Sequence, residues 1–148
     1  MKKIVRKVGI TLTALCLTLT IAAQDRPVSY EQLPKPARDF ITTHFPSVKV
    51  AYAEVDWDGY DVVLANGTDL EFTLKGQWTE IQVRRTKLPE SIMKLLPATL
   101  TNYLKKHYLG KTIKEINNKP YGYELELVGL HDLELLFDKT GKFLRIDD

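Results

Sequence analysis

Gly59 to Glu71 reads GYDVVLANGTDLE, and Gly122 to Glu134 reads GYELELVGLHDLE, the same phrase 63 residues later. Two β-strand patterns flank a turn in each, with Asn66-Gly67 as punctuation in the first. Upstream the offset holds. Leu33-Pro34 returns as Leu96-Pro97, Phe40-Ile41 as Tyr103-Leu104 and His44-Phe45 as His107-Tyr108. Downstream, two added residues at a turn carry Gly76-Gln77-Trp78 onto Gly141-Lys142-Phe143. A match this long, broken only where a turn absorbs the change, predicts a duplicated structural unit spanning residues 24–87 and 88–148.

Each unit reads as helical segments followed by four strands. Ser29 can cap a short turn, and Pro34 and Pro36 introduce a helix over Ala37 to His44 that Pro46 stops. Strands follow at Val48 to Asp56, Gly59 to Ala65, Asp69 to Lys75 and Trp78 to Arg84. In the second unit Pro89 opens a helical segment through Leu95, and Pro97 restarts it with Leu100, Tyr103, Leu104 and His107 as its stripe. Gly110 ends that helix, and strands follow at Thr112 to Lys119, Gly122 to Val128, Leu133 to Phe137 and Phe143 to Ile146.

Strand alternation separates two faces. Tyr60, Val62, Leu64, Leu70, Phe72, Leu74, Tyr123, Leu125, Leu127, Leu133, Leu135 and Phe137 are predicted to face the helices. Ile81, Val83, Leu144 and Ile146 continue that side. The other side then carries Asp61, Glu71, Glu80, Gln82, Glu124, Glu126, Glu134 and Arg145, with Trp78 and Phe143 as aromatic anchors. The expected class is α+β, two-layered, with helices covering one side of antiparallel sheet.

The N-terminus reads as an export signal. Lys2, Lys3, Arg6 and Lys7 precede an uncharged run from Val8 to Ala23, which predicts removal of residues 1–23. The run is shorter than the roughly 20 residues of a membrane span, so no span is expected after processing. Removal leaves 125 residues, 17 basic against 19 acidic. No nucleic-acid footprint is implied, and a single core of useful size is affordable. The one cysteine, Cys16, leaves with the leader, so the periplasmic form depends on packing instead of disulfides.

The order of Leu-Pro, amphipathic helix ending in His-aromatic, Gly-Tyr-acid strand, acid-Leu-acid strand and Gly-x-aromatic strand, twice over, resembles the PepSY-like, beta-lactamase-inhibitor-like exported bacterial proteins. The resemblance covers 24–148. It implies a tandem fold of two helix-plus-four-strand units, and leaves open whether the two half-sheets join into one curved surface. It supplies no catalytic residues and no cofactor, and implies a role in binding or restraining a protein or peptide of the cell envelope.

The residues themselves carry little catalytic chemistry. Asp56, Asp58 and Asp61 gather oxygens suited to a hard cation but lack the EF-hand spacing and distal Glu, so an acidic hairpin turn is the better reading and no metal is assigned. His44 and His107 sit at helix ends, where the dipole favours them. His131 lacks companion ligands for zinc. Serine occurs only at Ser29, Ser47 and Ser91, with no nucleophile elbow. Three function classes follow. The first is a non-catalytic module binding through the open face at Trp78, Phe143, Glu71, Glu80, Glu124, Glu126, Glu134 and Arg145. The second is a small-molecule or cation sensor using the Asp56 cluster. The third is a hydrolase drawing an acid and a base from Glu71, Glu124, Glu126 and Glu134.

Overall fold

Pro34 and Pro97 each stand just before a helix, where an absent N–H costs nothing. In the computed structural model, which describes residues 25–129 and 131–147, they precede α1 (Lys35–His44) and α3 (Ala98–His107). The predicted leader lies outside the described residues. A shorter helix, α2 (Glu90–Met93), precedes α3, and a 3-10 turn (Tyr30–Gln32) precedes α1. At that turn the Ser29 amide donates to Gln32 Oε1 at 2.8 Å.

The strands are β1 (Arg26–Pro27), β2 (Val50–Val55), β3 (Gly59–Leu64), β4 (Asp69–Thr73), β5 (Trp78–Gln82), β6 (Thr112–Lys119), β7 (Gly122–Val128), β8 (Leu133–Asp138) and β9 (Phe143–Asp147). They form one nine-stranded antiparallel sheet in sequence order. The half-sheets therefore join. Glu80 pairs with Asn117, Ile81 with Ile116 and Gln82 with Glu115, and the Val83 amide extends the seam to the Lys114 carbonyl at 2.8 Å. The two-residue β1 was not foreseen, because Arg26-Pro27 has no strand pattern; it adds to the sheet by pairing with Val55 and Glu54.

One hydrophobic cluster runs under the whole sheet. Ala37 and Ile41 of α1, Ile92 of α2 and Leu100 and Leu104 of α3 share it with Val62, Leu70, Phe72, Ile81, Ile116, Leu125, Leu135 and Phe137. The helices sit on this side because glycine turns receive their first residues. Gly76 and Gly141 both have positive φ, and a Cβ on either would come within 2.9 Å of backbone nitrogen in α1 or α3. Only glycine meets both demands.

Several strand-phase expectations fail. Leu74, predicted to be core, is 50% exposed because β4 ends at Thr73 and the chain has already turned. Leu144 is 52% exposed because it is the extra residue of a β-bulge: Leu136 pairs with Arg145 while Phe137 pairs with Phe143. Ile146 faces the helix side opposite Leu135 but is exposed, since among the described residues no strand flanks β9 beyond it. Val83 and Ile81 are buried as expected.

The seam yields a test. A fragment ending at Lys87 strips β6 from β5 and exposes Ile81, so it is expected to lack a cooperative unfolding transition by circular dichroism, whereas the whole exported chain unfolds in one. A sigmoidal melt from the fragment would show that the seam is dispensable.

Candidate functional site

A second bulge redirects the aromatic residues expected to anchor a partner. In β5, Glu71 pairs with Glu80 but Phe72 pairs with Trp78, which leaves Thr79 as the extra residue. The count from Ile81 back to Trp78 thus changes face, and Trp78 turns to the helix side. Its ring stacks on Phe40 of α1, with centroids 6.1 Å apart and planes at 28°. Phe143 stacks on Tyr103 of α3 at 4.6 Å and 9°. Both rings pack against the core. Trp78 and Phe143 are therefore not binding-face residues. Asn118 Nδ2 donates to the Trp78 carbonyl at 3.2 Å beside the bulge.

What remains on the open face is a ladder of acids. Register runs from Glu54 to Asp61, Glu71, Glu80, Asn117, Glu124, Leu136 and Arg145, one residue per strand. A neighbouring row runs from Asp69 through Gln82, Glu115, Glu126 and Glu134 to Asp147. Glu71, Glu80, Glu124, Glu126, Glu134 and Arg145 thus share one surface, as the alternation predicted. Glu115, Asn117, Lys119 and Glu124 line a shallow depression of about 300 Å³ together with Glu80 and Glu126.

Some of these acids are tied and others are not balanced. Glu115 accepts from Gln82 Nε2 at 2.6 Å across the seam and from Asn117 Nδ2 of its own strand at 2.7 Å. Arg84 reaches Asp69 at 2.6 Å, Lys114 reaches Glu126 at 2.8 Å and Arg145 reaches Asp147 at 3.0 Å. Asp61, Glu71 and Glu80 stand directly opposite one another, an arrangement that like charges disfavour. Partial loss of solvent, then the charges of Glu71 and Glu115, pushes the Glu80 carboxyl up to about 7, against a lowering by Lys119. Partial burial, then Glu71 and Asp56, brings Asp61 to about 6. Glu71 moves in the same direction for the same first reason.

The Asp56 cluster divides. Asp56 Oδ1 accepts the amides of Asp58 and Gly59 at 3.0 Å each, and these bonds hold its carboxyl below the usual range. It closes the hairpin, while Asp61 belongs to the ladder. Among the described residues no group of three or more His, Cys, Asp or Glu side chains is arranged to hold a metal ion. His44 does more than end a helix: its Nδ1 lies 2.8 Å from Ser91 Oγ, joining α1 to α2, and burial lowers its pKa. His107 stacks on Tyr103 at 4.4 Å.

The aromatic groups that do reach solvent lie elsewhere. Trp57 at the β2–β3 turn is 74% exposed and Tyr121 at the β6–β7 turn is 60% exposed. Tyr121 donates to Glu124 of the ladder. Tyr52, opposite Val63 on the open side, donates to Glu54 at 2.7 Å. The sequence signal for Trp57 and Tyr121 is an aromatic residue at a glycine turn, Trp57-Asp58-Gly59 and Tyr121-Gly122; Tyr52, inside β2, has none.

Two outcomes test this geometry. Trp78→Ala or Phe143→Ala is expected to cost about 3 kcal/mol in denaturant unfolding, as truncating a packed aromatic does. For Glu80, a raised carboxyl pKa means that the folded chain retains a proton the unfolded chain gives up. The associated stability is complete below the ordinary carboxylate range and is lost as pH rises through about 7. Glu80→Gln should therefore raise the melting temperature at pH 8 and leave it little changed at pH 4.

A family model described as "Putative beta-lactamase-inhibitor-like, PepSY-like" matches residues 58–145. A solved Bacteroides thetaiotaomicron protein, described as a putative calcium-regulated periplasmic protein, is 32% identical over 84% of this chain and 97% of its own, with TM-score 0.75. A Bacteroides vulgatus periplasmic protein of unknown function is 36% identical, covering 84% of this chain and 100% of its own at TM-score 0.77. A second B. vulgatus periplasmic protein, of the DUF2874 family, is 35% identical over 86% and 99% at 0.75. No curated protein matches the chain. The chain is periplasmic, as these relatives are, and no helix among the described residues is long and apolar enough to cross a membrane.

Proposed function

The chain belongs to the PepSY-like, beta-lactamase-inhibitor-like family, and on that premise we propose that it is an exported, non-catalytic module whose open face binds a cationic segment of another cell-envelope protein or peptide. One observation carries this reading. Asp61, Glu71 and Glu80 are held in direct register on three adjacent strands, at a cost in self-repulsion that a Lys- or Arg-bearing partner would relieve. Exposed Tyr52 and Tyr121, hydrogen-bonded to Glu54 and Glu124 of the ladder, offer large contact area with few rotatable bonds, as interface aromatics do. Arg145 at the far end of the ladder would set the direction of a bound segment.

We take residues 24–148 as one domain built from two related units, 24–87 and 88–148. The corresponding helices, stacked rings and bulges favour duplication of one ancestral half. The hydrolase reading gains no support from the depression around Glu80 and Glu124. Its walls are almost wholly polar, whereas small-substrate sites are mostly apolar with a few placed polar groups.

A second reading rests on a different observation. The B. thetaiotaomicron relative is described as calcium-regulated, and the crowded carboxylates of the ladder would be quieted by a divalent cation as well as by a basic peptide. The two readings differ in which added species matters.

The test is titration of the exported protein with an Arg- and Lys-rich peptide, followed calorimetrically at two salt concentrations, beside a titration with calcium alone. Saturable peptide binding that weakens with salt, and that falls at least tenfold in Glu71→Gln/Glu80→Gln/Glu124→Gln, is expected. Equal binding by that triple variant would remove the open face from the interaction. A melting-temperature rise with micromolar calcium and no peptide binding would favour the cation reading.

A further inference from the structure

The two halves differ where the turn before the main helix crosses it. In the first half Tyr30 occupies this place. It packs against the core, and its hydroxyl lies 3.0 Å from Thr42 Oγ1 and 3.3 Å from the Arg38 carbonyl, pinning the turn to α1. At the same offset the second half has Met93 for Tyr30, Thr101 for Arg38 and Lys105 for Thr42. A thioether cannot repeat the hydroxyl's hydrogen bonds, and Lys105 supplies no hydroxyl where Thr42 has one. Here the structure opens into a cavity of about 590 Å³ between α2, α3 and the β6–β7 hairpin.

The cavity is asymmetric in its chemistry. Met93, Leu96, Leu104, Ile113 and Leu127 form an apolar wall. Leu109, standing at 84% exposure at the mouth where the first half has Pro46, extends that wall toward solvent. The charged residues of the lining are Glu90, Lys94, Lys105 and Lys111. Glu90 lies 3.7 Å from Lys94, and Lys105 and Lys111 make no ion pair among the described residues. The volume falls within the roughly 300–1,000 Å³ typical of small-molecule sites. An apolar trough with two exposed lysines, neither in an ion pair among the described residues, at its rim suits a ligand that is a hydrocarbon at one end and an anion at the other.

We propose that this cavity binds a single-chain fatty acid, with the acyl chain along Met93, Leu104, Ile113 and Leu127 and the carboxylate between Lys105 and Lys111. The site is on the helix side of the sheet, away from the acidic face, and is independent of what that face binds. Charge complementarity decides the head: the same ammonium pair repels a cationic amphiphile and gives a neutral one nothing.

The probe is sodium dodecanoate, titrated below its micelle concentration into the isotopically labelled exported protein and followed by amide NMR. Saturable shifts at Leu104, Ile113 and Leu127 are expected, with dodecanol binding at least tenfold more weakly. The surface variant Lys105→Glu/Lys111→Glu should lose at least tenfold for dodecanoate and leave dodecanol unchanged. Met93→Tyr/Lys105→Thr rebuilds the first half's plug and should abolish binding of both while keeping the native fold. Shifts that fail to saturate, that map to the open face, or that persist in the plugged variant would overturn the proposal. So would equal dodecanoate affinity in the charge-reversed variant, or tenfold tighter binding of dodecyl phosphate, which would assign the rim to a phosphate.

Discussion

Three residue pairs between β5 and β6 hold the molecule together as one object. Ile81 and Ile116 meet at the centre of that seam, and both are completely buried. Without the pairing, each half would present an unpaired strand edge beside an exposed apolar residue, and neither half-core would be covered. With it, the cluster under α1 and the cluster under α3 become continuous. The connection that makes this possible runs through α2, which His44 and Ser91 fasten to the end of α1. The helix layer is thereby stitched across the same midline as the sheet.

The seam also decides where charge collects. Because β5 and β6 pair in register, the acidic row of the first half runs directly into that of the second. The join itself is eased by amides: Gln82 and Asn117 both donate to Glu115, so this carboxylate at the junction is stabilised by hydrogen bonds that add no charge, while Glu80 stands opposite Asn117. Elsewhere in the Glu115 row the compensation is by ion pairs, at Asp69, Glu126 and Asp147, and the middle of the first half is left acidic. Charge here is distributed by position in the ladder, which a count of acidic and basic residues does not convey.

Much of the fold was legible because proline, glycine and alternation state their physics locally. Pro34 and Pro97 mark helix starts, Gly110 marks an end, and the buried faces of β3, β7 and most of β4 and β8 follow from period two. The candidate site was legible in its acids and not in its aromatics. Thr79 and Leu144 are ordinary residues, yet each is the extra member of a bulge and reverses the phase of what precedes it. Nothing local in the sequence announces that step, since it shows only when β5 is paired with β4 and β9 with β8. The exposure of Trp57 and Tyr121 at turns, and of Tyr52 within β2, is a property of the assembled sheet. Equivalence in sequence also hid the difference between Tyr30 and Met93, which matters only once a helix lies across them.

The sheet is open, and its two outermost strands are unlike. On one side β1 is only two residues long and contains Pro27, which has no N–H to offer a further strand. On the other, β9 bears Arg145 and Asp147 paired to each other, so a neighbouring chain would have to strip solvent from two charges to dock there. A periplasmic protein with a single cysteine, Cys16, has no intramolecular disulfide to lock its fold among many copies of itself. Blunting both margins of the sheet keeps those copies from adding to one another as strands, which makes the small, irregular β1 a guard against fibrous assembly.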